Sequence, residues 1–173
     1  MSELFNSAKA LLSELTAWRR DLHAHPELGL DEVRTAAFIE AKLDEWHIPH
    51  HRVGKTNVVG VLKGEKPGSH TIALRADIDA LPIQELNDVP YRSQTDGAMH
   101  ACGHDAHITC LLGAARLLSQ RRSEFGGEVR FLFQSAEEIG KGAMELIDAG
   151  ALNGVERVFG LHTALETPVG TVS

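Results

Sequence analysis

This 173-residue chain is poor in cysteine and aromatics and has no basic excess: it holds two cysteines, Cys102 and Cys110, one tyrosine, 5% aromatic side chains and a net charge of −7. Two cysteines are too few for the disulfide scaffold of a small secreted domain, so they read as free thiols, or one of them as a metal ligand. An acidic balance with both signs interspersed argues against a nucleic-acid partner and an anionic membrane surface, and favours a small molecule. No apolar run approaches the roughly 20 residues that cross a bilayer, and the opening segment lacks the basic-then-apolar order of a secretion signal, so the expected location is the cytoplasm. There is no glycine-rich phosphate loop after a strand and no G-x-S-x-G elbow, which counts against kinases, dinucleotide enzymes and serine hydrolases. What is present is an ordinary globular composition, 43% hydrophobic and 24% charged, with ten histidines as its oddity.

Apolar residues at Leu4, Ala8, Leu11, Leu15, Trp18 and Leu22 recur every three or four positions, which predicts one amphipathic helix ending near His25-Pro26. A second helix is expected over Val33, Ala36, Ile39, Leu43 and Trp46, stopping before Ile48-Pro49. Asn57 to Leu62 and Thr71 to Ala76 read as two neighbouring strands around the turn Gly64 to Gly68. A third helix carries Ile108, Leu111, Leu112, Ala115 and Leu118, with Asp105 as its cap. A buried strand from Glu128 to Phe133, a short helix from Gly142 to Asp148 closed by Gly150, and a strand from Arg157 to Leu161 complete the pattern. Alternating strands and helices imply an α/β layered sheet in one domain.

The polar residues collect where such a sheet binds ligands. Asp77 and Asp79, then Glu137 and Glu138, then His162, each follow a strand, and the crevice of an open α/β sheet lies outside the carboxyl ends of its strands. The octapeptide His100 to His107 holds Cys102, His104, Asp105 and His107 ahead of a helix, which are donor types that suit zinc or manganese. The same octapeptide also fits a buried small cysteine with surface or capping histidines. In extended backbone Glu137 and Glu138 would face opposite ways, one towards an ion and one towards a substrate; an acidic solvated turn is the other reading. His162 fits either a ligand or a histidine satisfied by its own hydrogen bonds. Asp77 and Asp79 fit either orienters of a ligating histidine or turn residues. His23 and His25 read as helix-end residues and His47, His50 and His51 as surface ones.

Five ordered segments carry a resemblance: Trp18 to Gly29, Leu74 to Pro82, His100 to His107, Phe133 to Glu138, and Gly160 to His162. Together they resemble the hippurate hydrolase and auxin-conjugate amidohydrolase branch of the aminoacylase and carboxypeptidase-type metallopeptidases. The resemblance implies a zinc-exopeptidase-like catalytic domain: a three-layer α/β fold with a mixed sheet flanked by helices. It also implies two divalent ions, zinc or manganese, held by Cys102, His104, Glu138 and His162. Glu137 would be general base and acid, Asp79 would orient a ligand, and Asp77, Asp105 and His107 would stand behind the ligands. The implied reaction is hydrolysis of the amide bond of N-acyl amino acids, hippurate-like or acetylated, or of short peptides.

Departures from the family pattern are Ser135 where proline is usual, Thr163-Ala164-Leu165 where Trp-Pro is usual, and Asp77 where related enzymes place a ligating histidine. Family members are also longer: they continue into a lid that dimerises and then return to the catalytic domain. Residues 1–173 are therefore expected to be the N-terminal part of that domain, with little or no activity alone. A non-catalytic metal-binding remnant, or a subunit of a split amidohydrolase, is the competing reading. A thiol redox module is disfavoured, since Cys102 and Cys110 do not form a Cys-x-x-Cys pair.

Overall fold

The computed structural model describes residues 3–164, 166–168 and 170–171. In chain order the elements are α1 (Glu3–Ala10), α2 (Leu12–Ala24), α3 (Val33–Glu45), β1 (His50–Val53), β2 (Asn57–Lys63), β3 (Lys66–Asp77), α4 (His104–Ser119), a 3-10 turn (Arg122–Glu124), β4 (Gly126–Gln134), α5 (Gly142–Asp148) and β5 (Arg157–Gly160). None of the described helices is long and apolar enough to cross a membrane.

The five strands make one mixed sheet in the order β1-β2-β4-β3-β5. β1 pairs with β2, and β2 with β4, antiparallel; β4 and β5 flank β3 in parallel. Helices cover both faces, which gives the three layers expected from the sequence. On one face Val58, Leu62, Ala76, Phe131 and Phe133 pack with Leu22, Ile39, Leu43, Ile108 and Leu112 from α2, α3 and α4. On the other face Val59, Ala73 and Leu132 pack with Leu146 of α5 and with Ala151. Neighbours in a strand point to opposite faces, so Val58 and Val59, or Leu132 and Phe133, serve different cores. Burial of both faces accounts for the nearly continuous apolar run of β4.

Several sequence expectations are corrected. The first helix breaks at Leu11 into α1 and α2. β2 and β3 are not neighbours, because β4 lies between them. The glycines that suggested a hairpin instead let another strand come close: Gly64 N–H donates to Gly127 O at 2.9 Å, and a Cβ on Gly68 would lie 2.7 Å from Gly127 N. β3 also begins at Lys66, inside the expected turn. β1 was not anticipated, since His50-His51-Arg52-Val53 has no β-branched run. α4 starts at His104 behind Gly103, whose φ of 86° is a left-handed conformation suited to glycine, and Asp105 is not its cap.

β5 is exposed along its whole length. Val158 and Phe159 are 51% and 50% accessible, and Leu161 just beyond reaches 75%.

Candidate metal centre

The carboxyl ends of β3, β4 and β5 lie side by side, and the residues that follow them converge with the start of α4. β3 ends on Asp77 and leads to Asp79, β4 leads to Glu137 and Glu138, and β5 leads to His162. Gly103 turns the chain so that Cys102 precedes α4 and His104 opens it. Donor atoms of Cys102, His104 and Glu138 lie within 4.8 Å of one another, as do those of Asp77, His104, His107 and His162.

His104 is the hinge of both groups. Its Nδ1 lies 2.9 Å from the Asp79 carbonyl oxygen. A carbonyl only accepts, so the proton sits on Nδ1 and the Nε2 lone pair is free. Nε2 is buried with no hydrogen-bond partner among the described residues, and faces Asp77 Oδ2 at 3.6 Å, Glu138 Oε1 at 3.7 Å and Glu137 Oε2 at 3.9 Å. His162 repeats the arrangement: Nδ1 donates to Thr163 O at 2.7 Å, and Nε2 lies 3.4 Å from Cys102 Sγ. Two imidazoles that offer lone pairs to one space lined by carboxylates and a thiol fit divalent cations. An orphaned buried nitrogen is costly unless something takes up its lone pair.

The charges agree with that reading. Burial lowers the His104 pKa, but Asp79, Asp77 and Glu138 together outweigh it and leave the pKa raised. Burial and the nearby Glu138, Asp77 and Glu137 push the Cys102 thiol up to about 11. These carboxylates hold the thiol protonated when no cation is beside it, and a bound cation would reverse that.

The residues expected behind the ligands take distinct places. His107 donates from Nδ1 to Asp77 Oδ1 at 2.6 Å and accepts the Thr163 N–H on Nε2 at 3.0 Å, so both its nitrogens are used. His107 therefore props the residue next to His162. Arg75 Nη1 donates to the other Asp77 oxygen at 2.6 Å. Burial raises the Asp77 pKa, while His107, His104 and Arg75 more than offset it. Asp79 Oδ2 accepts the Glu138 N–H at 3.0 Å. Asp105 turns away, to His23 Nδ1 at 2.6 Å and Arg19 Nε at 2.9 Å. His23 is thus a buried partner of Asp105 and of Glu85, at 3.2 Å, and lies in neither donor group. His47 and His51 are exposed and His50 is half-buried.

Glu137 and Glu138 do not alternate along an extended strand. They stand in a turn opened by Ala136, whose φ is 50°, so both carboxylates face the same rim. Cys102 and Cys110 are both free thiols, with Cys110 on the exposed side of α4.

Glu32 and His100 are buried polar residues to which the sequence assigned no role of their own, although His100 opens the octapeptide. Glu32 reaches the turn from in front of α3 and accepts the Ala136 N–H at 2.8 Å. His100, 3% accessible, has neither ring nitrogen hydrogen-bonded among the described residues, and burial lowers its pKa to about 4. His100 also lines a cleft of about 800 Å³ that opens beside Cys102 and His162. Glu32 lies just past the Trp18 to Gly29 segment, outside the residues that carried the resemblance.

The profile of peptidase family M20/M25/M40 matches residues 73–172. An N-acetylcysteine deacetylase of Bacillus subtilis is 51% identical over 166 residues, covering 95% of this chain and 43% of the relative. An N-acyl-L-amino acid amidohydrolase of Geobacillus stearothermophilus is 49% identical over 152 residues, covering 87% of this chain and 41% of its own length. The crystal structure of a Bacillus subtilis dinuclear metal-binding peptidase of the M20 family superposes with a TM-score of 0.89 at 51% identity, over 94% of this chain and 45% of that one. The chain spans less than half the length of these relatives.

Proposed function

The chain belongs to peptidase family M20/M25/M40, and from that premise we propose that it carries most of the metal-binding half of an amidohydrolase that cleaves N-acyl amino acids. The observation that carries the reading is the unpartnered Nε2 of His104, facing the same space as Cys102, Glu138 and His162. Those four residues would hold two divalent ions, zinc or manganese, with Asp77 holding His107 and His107 holding the Thr163 amide beside His162. When bound, the ions would polarise the scissile carbonyl and lower the pKa of a water at the same rim.

Glu137 supplies the proton chemistry. Its side chain is 38% accessible and its Oε2 lies 3.9 Å from His104 Nε2, so it borders the ligand space while staying open to substrate. There it takes a proton from the attacking water and delivers it to the departing nitrogen, giving a carboxylic acid and an amine. Asp79 holds His104 and the Glu138 amide in register for this. Deacetylation of an N-acetyl amino acid and cleavage of a hippurate-like substrate are the same bond change, and the names of the relatives favour N-acyl amino acids as the class.

Residues 1–173 form the N-terminal part of the catalytic domain in this proposal. The exposed apolar β5 supports it, because a parallel strand is ordinarily covered on both faces. A further part of the domain, and a lid that dimerises, would come from the length that the relatives have and this chain lacks.

A chimera tests the function directly. This chain should replace the matching part of the Bacillus subtilis relative, and the product be assayed with zinc or manganese on a panel of N-acyl amino acids. The expected result is hydrolysis that Glu137→Gln abolishes while metal content stays the same. Unchanged turnover in Glu137→Gln would remove Glu137 from the reaction. The isolated chain is expected to show little or no turnover; metal binding without turnover in the chimera would favour a non-catalytic subunit.

A further inference from the structure

Glu32 has no part in the chemistry above, yet its carboxylate is fully buried. Burial raises its pKa, and hydrogen bonds from Thr56 and the Ala136 amide offset part of that. Oε2 accepts the Thr56 hydroxyl at 2.6 Å, and Oε1 accepts the Ala136 N–H at 2.8 Å.

Ala136 is where the chain leaves β4 for the Glu137-Glu138 turn. Its φ of 50° is left-handed, a region an alanine seldom occupies without help from its surroundings. The turn leans on side chains for its amides: Asn57 Oδ1 takes the Ser135 N–H at 2.9 Å, Glu32 takes that of Ala136, and Asp79 takes that of Glu138 at 3.0 Å. Of these three, Glu32 alone bonds the left-handed residue. Gly29 adds a backing without a side chain, since a Cβ there would lie 3.1 Å from Ala136 Cα.

We propose that Glu32 is a positioning residue: by binding the Ala136 amide it keeps that residue left-handed and so aims Glu137 and Glu138 at the metal centre. What the two glutamates then do rests on the function proposed above; how the turn is held does not. The segment around Gly29 thereby gains a role, as the back wall of the site.

The test uses the 173-residue chain with Glu32→Gln, which keeps an acceptor for Ala136 and a donor for Thr56, and Glu32→Asp, which withdraws the carboxylate by one methylene. Hydrogen exchange of the metal-free proteins is read by mass spectrometry over residues 135–140. Exchange in that peptide should quicken in Glu32→Asp and return to the wild-type rate in Glu32→Gln, with α4 unchanged in both. Should the Asp variant fail to fold, Thr56→Val loosens the same carboxylate more gently and is expected to act in the same direction.

Cobalt titration supplies the second readout: the visible spectrum of the bound ion should change and its affinity fall by about 10-fold or more in Glu32→Asp, with rescue in Glu32→Gln. Wild-type exchange over 135–140 in a folded Glu32→Asp protein would overturn the proposal. Failure of the wild-type chain to bind cobalt would instead count against the metal centre, and the exchange result would still decide the part played by Glu32.

Discussion

Asp79 joins the two halves of the metal centre: its Oδ2 holds the Glu138 main-chain amide at 3.0 Å, while its Oδ1 lies 3.3 Å from His104 Nδ1. Asp79 thereby fixes both a turn after β4, through its carboxylate, and a side chain at the start of α4, through its carbonyl oxygen 2.9 Å from Nδ1 with the carboxylate charge beside it. Asp79→Ala should lower zinc affinity by about 10- to 100-fold, the range for residues that orient a metal ligand, while the far-ultraviolet circular dichroism is retained. Isothermal titration of chelator-treated protein measures it. Wild-type affinity in the variant would mean that the Asp79 carboxylate does not orient the ligands.

Cys102 gives a proton count. Its pKa of about 11 leaves the thiol protonated at neutral pH, and a cation that binds sulfur must displace that proton. Zinc binding near pH 7 should therefore release about one more proton from the wild type than from Cys102→Ser. Titration calorimetry in buffers of different ionisation enthalpy gives the number. Equal proton release would show that the sulfur is not a ligand.

His23 and Asp105 set a pH window for stability. The hydrogen bond to Asp105 raises the His23 pKa against the opposing effect of burial. A raised histidine stabilises the fold fully below its unfolded value of 6.5 and loses that contribution as pH climbs through the folded value. For Asp105 burial acts upward, but His23, His100 and Arg19 pull its pKa down, so its contribution is present above 3.8 and lost as pH falls through the lowered value. The melting temperature of wild type should exceed that of His23→Gln most between pH 3.8 and 6.5, with the gap narrowing towards alkaline pH. A gap that widens above neutrality would contradict the charged pairing.

Much of this fold is legible in the sequence because it rests on local periodicity. Stripes of apolar residues mark α2, α3 and α4, and β4 shows as a continuous apolar run, since each follows from which faces are buried. Strand order is not local. The Gly64 to Gly68 turn suggested pairing of β2 with β3, but β4 lies between them, a partner more than fifty residues away in sequence from β3's first residues. At the site, residue type and position after the strands mark the region, and the family resemblance is what implies Cys102, His104, Glu138 and His162 as the set within it. The turn geometry of Glu137-Glu138 was hidden, because a left-handed alanine carries no composition signal. Glu32 was hidden for the same reason: its partner is a main-chain amide 104 positions away.

Gly142 makes the packing behind the site testable. A Cβ there would fall 1.8 Å from Ser135 O, a main-chain atom next to the strained turn that has no flexible end to move aside. Gly142→Ala should destabilise the chain by about 1–3 kcal/mol, the usual cost of overpacking, as read from urea denaturation. A smaller change would mean that α5 shifts freely relative to β4.

The bare outer rim of β5 has a practical consequence. Its outer edge, unpaired among the described residues, and the side chains of Val158, Phe159 and Leu161 beside it offer a template on which strands of other molecules can stack. Yield and shelf life of the purified chain will therefore be governed by aggregation along this rim. Dilute handling, or a lysine in place of Val158, is the remedy that the geometry recommends.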